Sequence, residues 1–324
     1  MLACAKDAGR ILIVTHERPD GDAVGSSVAL WHLLTENGWN AELLYPDELP
    51  DAYLPFIPQE AVTQEKPASA DALKERYAMV LSADASTPKR IGLGGLAPEQ
   101  VTIPFAAVDH HPDHIEFAAV TYVDPEACSA SEIVFKLAKQ ANWVISKAAA
   151  TAMLLGVTTD TGCFRFDNTT PRAHIAAAEL LERGADQHRV IDRAYFSKPF
   201  NMAQFEAELF CTSLRTALDG RFAWFTITNE ILQKYDVNIR NTENLIENIR
   251  SIEGVVVAAL LKPTSNPGIF KISLRSKDPS VSVGKVARRL NGGGHEMAAG
   301  GTIFAKSMEN AEDILLKHVE MELK

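Results

Sequence analysis

Ile11-Leu-Ile-Val-Thr-His16-Glu-Arg-Pro-Asp20-Gly-Asp22-Ala-Val-Gly-Ser-Ser27 is the stretch on which the reading of this chain turns. Its first four residues, Ile11 to Val14, are apolar without alternation, as in a strand buried on both faces. From Ala23 the period changes. Val24, Val28 and Trp31 recur at helical spacing, with Leu34 one turn beyond. His16, Asp20 and Asp22 therefore fall between the carboxyl end of a strand and the start of a helix, where open α/β sheets bind ligands. Two ionised carboxylates confined there repel each other, and a cation removes that cost. Asp and His suit Mn²⁺-like ions. Gly21 lets the backbone bend between the two acids, and Pro19 stiffens the approach. The competing reading makes Asp22 a helix cap and Asp20 a turn residue.

Outward from this stretch, Gly38 reads as the helix stop and Ala41–Tyr45 as a second strand. Residues 46–70 read as a loop with a short helix. Met79–Leu81 is a short strand that runs toward Asp84, a ligand or a cap. The glycines at 92, 94 and 95 lack the spacing of a dinucleotide fingerprint. Thr102–Val108 reads as a strand ending in Asp109-His110-His111-Pro112. Adjacent side chains diverge, so one of these histidines would join a given metal while the other serves another role. Val120–Val123 is a further strand, and Ser129-Ala-Ser-Glu132 has the capping-box pattern. A helix from Lys147 is expected to end at Gly156, leaving Asp160 in a turn. Arg165 reads as a phosphate grip or, preferably, as the partner of an acid. Thr170-Pro171 opens a helix that closes at Gly184. Residues 187–218 look mostly helical and without a strand.

The rhythm then changes. Phe222–Ile227, Val255–Leu261 and Ile269–Leu274 read as strands, the last two joined by a hairpin loop at 263–268. Val283, Val286, Ala287 and Leu290 mark a helix face. Asn291-Gly-Gly-Gly-His295 can approach a ligand closely and form an anion nest before a strand at Thr302–Phe304. A helix around Asn310–Leu323 closes the chain. The organisation expected is a domain over 1–190, a helical connection over 191–215 and a smaller domain over 216–324.

The chain has 324 residues, 46% hydrophobic, so two folded cores are a fair expectation. Its formal net charge of −10 argues against a long phosphate-gripping footprint and hence against long duplex nucleic acid. Cys4, Cys128, Cys163 and Cys211 form no CxxC pair, which fits a reduced, cytoplasmic setting. Met1-Leu-Ala-Cys4 is not read as a lipoprotein site, because no basic and apolar segment precedes it. No apolar run approaches the roughly 18 residues of a membrane span.

Taken in order, His16-x-x-x-Asp20-x-Asp22, Asp84, Asp109-His110-His111, Asp160 and Gly292-Gly-Gly-His295 resemble the DHH/DHHA1 phosphoesterase family over nearly the whole chain. Length and layout look most like its bacterial bifunctional oligoribonuclease/pAp phosphatase branch. The resemblance implies an α/β fold: a mostly parallel-sheet DHH domain with helices on both faces, a smaller α/β DHHA1 domain, and an active site in the cleft between them. It implies two Mn²⁺ ions, with Mg²⁺ or Co²⁺ as substitutes. His16 and Asp20 would hold one ion, Asp22, His110 and Asp160 the other, and Asp84 would bridge both. His111 would lie near the substrate, and Arg275, Gly293, Gly294 and His295 would meet its phosphates.

The chemistry agrees: a carboxylate-rich set with two histidines suits Mn²⁺ better than a structural zinc site. Two ions about 4 Å apart can generate a hydroxide for in-line attack on phosphorus. The expected substrates are short oligonucleotides and pAp. Cyclic or linear dinucleotides, and pyrophosphate or polyphosphate, are the alternatives. A dense Lys/Arg clamp for pyrophosphate is missing from the second domain. A non-catalytic nucleotide sensor would carry degenerated ligands, and none is visible. A homodimer is compatible with the sequence.

Overall fold

The computed structural model describes residues 9–242 and 245–324. It divides into two compact units, Met1–Ser197 and Lys198–Lys324.

In the first unit the elements run β1 (Arg10–Val14), α1 (Gly21–Glu36), β2 (Asn40–Leu44), α2 (Ala70–Arg76), β3 (Tyr77–Ala83), β4 (Phe105–Asp109), β5 (Val120–Val123), α3 (Ala130–Gln140), α4 (Lys147–Asp160) and α5 (Pro171–Glu182). The five strands are parallel in the order β2-β1-β3-β4-β5. The strand order reverses between β1 and β3. Their carboxyl ends, which lead to His16 and Asp84, therefore sit at the switch point where such sheets hold ligands. Ile11 and Ile13 belong to one buried core with Val24 and Leu33 of α1, Ile133 of α3, Leu155 of α4 and Leu180 of α5. Leu12 and Val14 pack the other way, against Leu73 of α2 and the loop residues Ile91 and Leu93. Covering both faces is what made the strand's sequence apolar without alternation.

One competing reading and two expectations fail here. The cap of α1 is Asp20, not Asp22: Asp20 Oδ1 accepts from the N–H groups of Asp22 at 3.1 Å and Ala23 at 3.0 Å. Gly156 does not end α4, which continues to Asp160, so that acid is helical rather than in a turn. The glycine serves packing instead. A Cβ on Gly25 of α1 would lie 2.6 Å from the Ala152 carbonyl and 2.7 Å from the Gly156 nitrogen. The two helices touch backbone to backbone, and only glycine permits it. Finally, Glu132 does not close a capping box on Ser129. Ser129 Oγ accepts the Glu132 N–H at 3.1 Å, but Glu132 Oε2 accepts from Cys128 N at 2.8 Å.

The second unit comprises α6 (Phe200–Glu208), β6 (Leu214–Ala217), β7 (Phe222–Thr226), α7 (Asn229–Lys234), α8 (Leu245–Arg250), β8 (Val257–Pro263), β9 (Ile269–Ser276), α9 (Val283–Arg289), β10 (Gly293–Gly294), β11 (Ala298–Phe304) and α10 (Met308–Leu323). Its six strands form a mixed sheet, β10-β11-β9-β8-β7-β6, in which only β7 and β8 run parallel. Phe222, Trp224, Val257 and Ala259 face α9 and α10. The alternate residues Ala223, Phe225, Ala258 and Leu260 face α6, α7 and α8. β6 lies where no strand is expected. It is an edge strand with Arg215 and Thr216 exposed, so it carries no hydrophobic pattern to read. β11 also starts earlier than expected, because Ala298-Ala-Gly-Gly301 has no β-branched residue to announce it. Among the described residues no helix is long and apolar enough to cross a membrane.

Candidate metal centre

The fold gathers the first unit's predicted residues at one end of its sheet. His16 leaves β1 with its Nδ1 2.7 Å from the Glu17 carbonyl, a bond that leaves Nε2 for a ligand. Nε2 lies 3.5 Å from Asp84 Oδ2 and 3.9 Å from Asp20 Oδ1. His110, just past β4, repeats the device: Nδ1 is 3.4 Å from the Ala127 carbonyl. Its Nε2 is 3.6 Å from both Asp84 Oδ1 and Asp160 Oδ2. Asp22 is buried in the first turn of α1, where Oδ2 accepts from Ala130 N at 2.6 Å and Oδ1 from Ser131 N at 3.0 Å. The N-terminus of α3 thus holds a carboxylate contributed by α1.

Two donor sets result, His16–Asp20–Asp84 and Asp22–His110–Asp160, each with its donor atoms within 4.8 Å of one another. Asp84 also groups with His110 and His111, so it touches both sets. It is 2% exposed and sits at φ 58°, uncommon for a residue with a side chain. Its Oδ1 is buried with no hydrogen-bond partner among the described residues. A buried, orphaned carboxylate oxygen facing two imidazoles fits a cation.

The electrostatics agree. Burial, then the charge of Asp84, pushes Asp22 up to about 7. Burial, then the neighbouring aspartates, holds Asp160 well above the usual carboxylate range. Burial pulls His16 down, but the hydrogen bonds and charges of Asp20 and Asp84 overcome it and raise the imidazole to about 10. Packed negative charge without a counter-ion makes these groups hold protons, and a cation reverses that preference.

Glycines set the clearances. A Cβ on Gly21 would come within 2.3 Å of Thr159 Oγ1, so this residue lets α1 start against α4 as well as bending the chain. A Cβ on Gly156 would lie 2.2 Å from Asp22 Oδ1 and 2.0 Å from Ser131 Oγ.

The sequence pattern leaves two residues without their true roles. Asp109 has no function there beyond its place in the motif, yet it is 0% exposed, accepts from His110 N at 2.9 Å and pairs with His111 Nδ1 at 2.7 Å. Its other oxygen is 2.6 Å from His114 Nδ1. A third histidine three residues after the pair is the one available signal. The acid partner preferred for Arg165 is not found among the described residues. Arg165 Nε donates to the Gly162 carbonyl at 2.5 Å, and the guanidinium lies 5.9 Å from the Tyr195 ring centroid.

In the second unit, Arg275 on β9 stands opposite Ala298 on β11, and Gly294 on β10 stands opposite Ala299. Gly294 has φ +131°, and a Cβ there would meet the Ala298 carbonyl at 2.7 Å. Arg275 Nε is 3.4 Å from Glu247 Oε1, and His295 is exposed.

Comparison with known proteins finds one family model in each unit. Residues 10–157 match the DHH family, N-terminal domain, and residues 225–324 match the DHHA1 domain. The chain is 31% identical to the bifunctional oligoribonuclease and PAP phosphatase NrnA of Thermus thermophilus, over 97% of this chain and 90% of that one. It is 30% identical to a probable bifunctional oligoribonuclease and PAP phosphatase NrnA of Streptococcus mutans, over 97% and 95%. The crystal structure of an exopolyphosphatase-related protein from Bacteroides fragilis superimposes with a TM-score of 0.87 at 24% identity, covering 97% of this chain and 92% of that one. This last likeness is one of fold.

Proposed function

The chain belongs to the DHH family of phosphoesterases, and from that premise we propose that it is an Mn²⁺-dependent enzyme that hydrolyses short oligonucleotides to mononucleotides and removes the 3′-phosphate of pAp. The observation that carries this reading is the pair of three-residue donor sets joined through Asp84. His16 and Asp20 would hold one ion, Asp22, His110 and Asp160 the other, and Asp84 would serve both. Paired divalent cations supply a Lewis acid for a phosphoryl oxygen and lower the pKa of an attacking water. The substrate class is supported by the NrnA relatives, whose names record oligoribonuclease and PAP phosphatase activity.

The chain's own residues do the rest. The carbonyls of Glu17 and Ala127 orient His16 and His110 so that Nε2 of each faces the carboxylates. Asp109 engages His111 Nδ1, which frees Nε2 to exchange a proton with the leaving oxygen. Arg275, the backbone of Gly293 and Gly294, and the side chain of His295 would hold the phosphates of a short substrate, so an acidic protein needs no extended basic surface. We place the enzyme in the cytoplasm: the described cysteines, Cys128, Cys163 and Cys211, are free thiols.

A side-by-side assay tests the reading. The purified chain is given a 5′-phosphorylated dinucleotide, pAp, cyclic di-AMP and pyrophosphate with Mn²⁺, Mg²⁺ or Co²⁺. Fastest turnover of the dinucleotide and pAp with Mn²⁺ is expected. Faster phosphate release from pyrophosphate would reassign the substrate, and no turnover of any ester at saturating metal would end the hydrolase reading.

A further inference from the structure

The carboxylate of Asp109 lies between two imidazoles. His111 Nδ1 is 2.7 Å from Oδ1, and His114 Nδ1 is 2.6 Å from Oδ2. Oδ1 also accepts the His110 N–H at 2.9 Å. The carboxylate is fully buried and the His114 side chain is 5% exposed, so water does not stand in for either bond. The His114 ring is held from outside the cluster, with the Phe117 ring centroid 5.2 Å away. Its loop is tied to the loop after Asp84 by a hydrogen bond from Ile115 N to the Ser86 carbonyl at 2.8 Å. His114 Nε2 is buried without a hydrogen-bond partner among the described residues. A protonated Nε2 would be an orphaned donor, so the tautomer that fits carries its hydrogen on Nδ1 and gives it to Asp109.

We propose that His114 is a positioning residue for His111, acting through the shared carboxylate of Asp109. With both oxygens engaged, the carboxylate cannot turn about its Cβ–Cγ bond. His111 is then locked with Nδ1 as donor and Nε2 free. Without His114, Oδ2 becomes a buried acceptor with no donor, and the carboxylate gains an alternative to the His111 bond. This inference rests on the phosphoesterase reading for its kinetic arm alone.

The test compares His114→Leu, which keeps bulk, with His114→Asn, whose amide nitrogen reaches the place of Nδ1. Full-length protein with ¹⁵N-labelled histidine reports the His111 tautomer by NMR, without turnover. The wild type and His114→Asn should hold one Nδ1–H tautomer, and His114→Leu should show averaged ring shifts. In the kinetic arm, kcat of the leucine variant should fall by ~10–100-fold with KM and Mn²⁺ retention unchanged, the usual scale for a partner one bond removed. The asparagine variant should recover most of it. A leucine variant with wild-type kcat or an unchanged His111 tautomer would overturn the proposal. So would equal losses in both variants, or a loss that tracks Mn²⁺ release. Should the wild type turn over no phosphoester, the function reading fails while the NMR arm still decides this one.

Discussion

The acidic cluster of the first unit and the glycine-rich loop of the second both include histidine, and they are built in opposite ways. His16 and Asp84 are nearly sealed from solvent, and their neighbours Asp22 and Asp109 are tied down by backbone N–H groups and ring nitrogens. His295 stands exposed beside Gly293 and Gly294, neither of which offers a side chain. The first arrangement concentrates charge and fixes donor atoms in advance, as a small cation of strict geometry requires. The second leaves backbone free to meet a larger, variable anion.

Removing the shared carboxylate strikes the first region hardest. Asp84→Asn is expected to lower kcat/KM by ~10³-fold and to weaken Mn²⁺ retention, because one oxygen set serves both donor groups. Metal analysis after gel filtration, alongside the assay, checks it; near-normal activity would remove Asp84 from the centre. Gly156→Ala comes next. Its methyl group would displace either Asp22 or Ser131, so a stability loss of about 1–3 kcal/mol is expected together with poorer metal binding. Denaturant melts with and without Mn²⁺ separate the two effects.

His295→Ala sharpens the contrast from the other side. On the proposed function it should raise KM or lower kcat by ~10-fold with Mn²⁺ content intact, because an exposed contact with substrate would contribute less than a buried ligand. Equal loss of metal and activity would erase the division of labour between the two regions.

The smallest effect is a slope in pH. In the metal-free chain Asp22 is raised to about 7, so its contribution to stability declines as pH climbs from about 4 to 7. His16, raised to about 10, stabilises fully below about 6.5 and loses that contribution between there and 10. Both trends run the same way, and both groups bind a cation only when deprotonated. The rise in Tm caused by Mn²⁺ should therefore be larger at pH 8.5 than at pH 5.5, as thermal scans at the two values would show. An equal rise would mean that the cation is held elsewhere.

Much of the centre was legible because strands buried on both faces leave uniform apolar runs, and the residues just beyond such a run lie at the ligand-binding edge of the sheet. Ile11–Val14 pointed to His16, and Met79–Leu81 pointed to Asp84. The two glycines of the helix contact were harder. Gly156 reads as a stop in any local window, since nothing in its neighbours says that Gly25 will lie against it. β6 was invisible because an edge strand with an exposed face obeys no alternation.

The order of acids and imidazoles along the chain, and their places after apolar runs, were determined by sequence alone, through periodicity that reports burial face by face. Which oxygen meets which nitrogen was decided only in three dimensions. Asp109 is shared by His111 and His114 within one loop, whereas Asp22 reaches across to Ala130 and Ser131 through long-range contacts that depend on helix packing. Such contacts join residues whose local sequence carries no trace of each other, because a hydrogen bond depends on distance in space and not on separation along the chain.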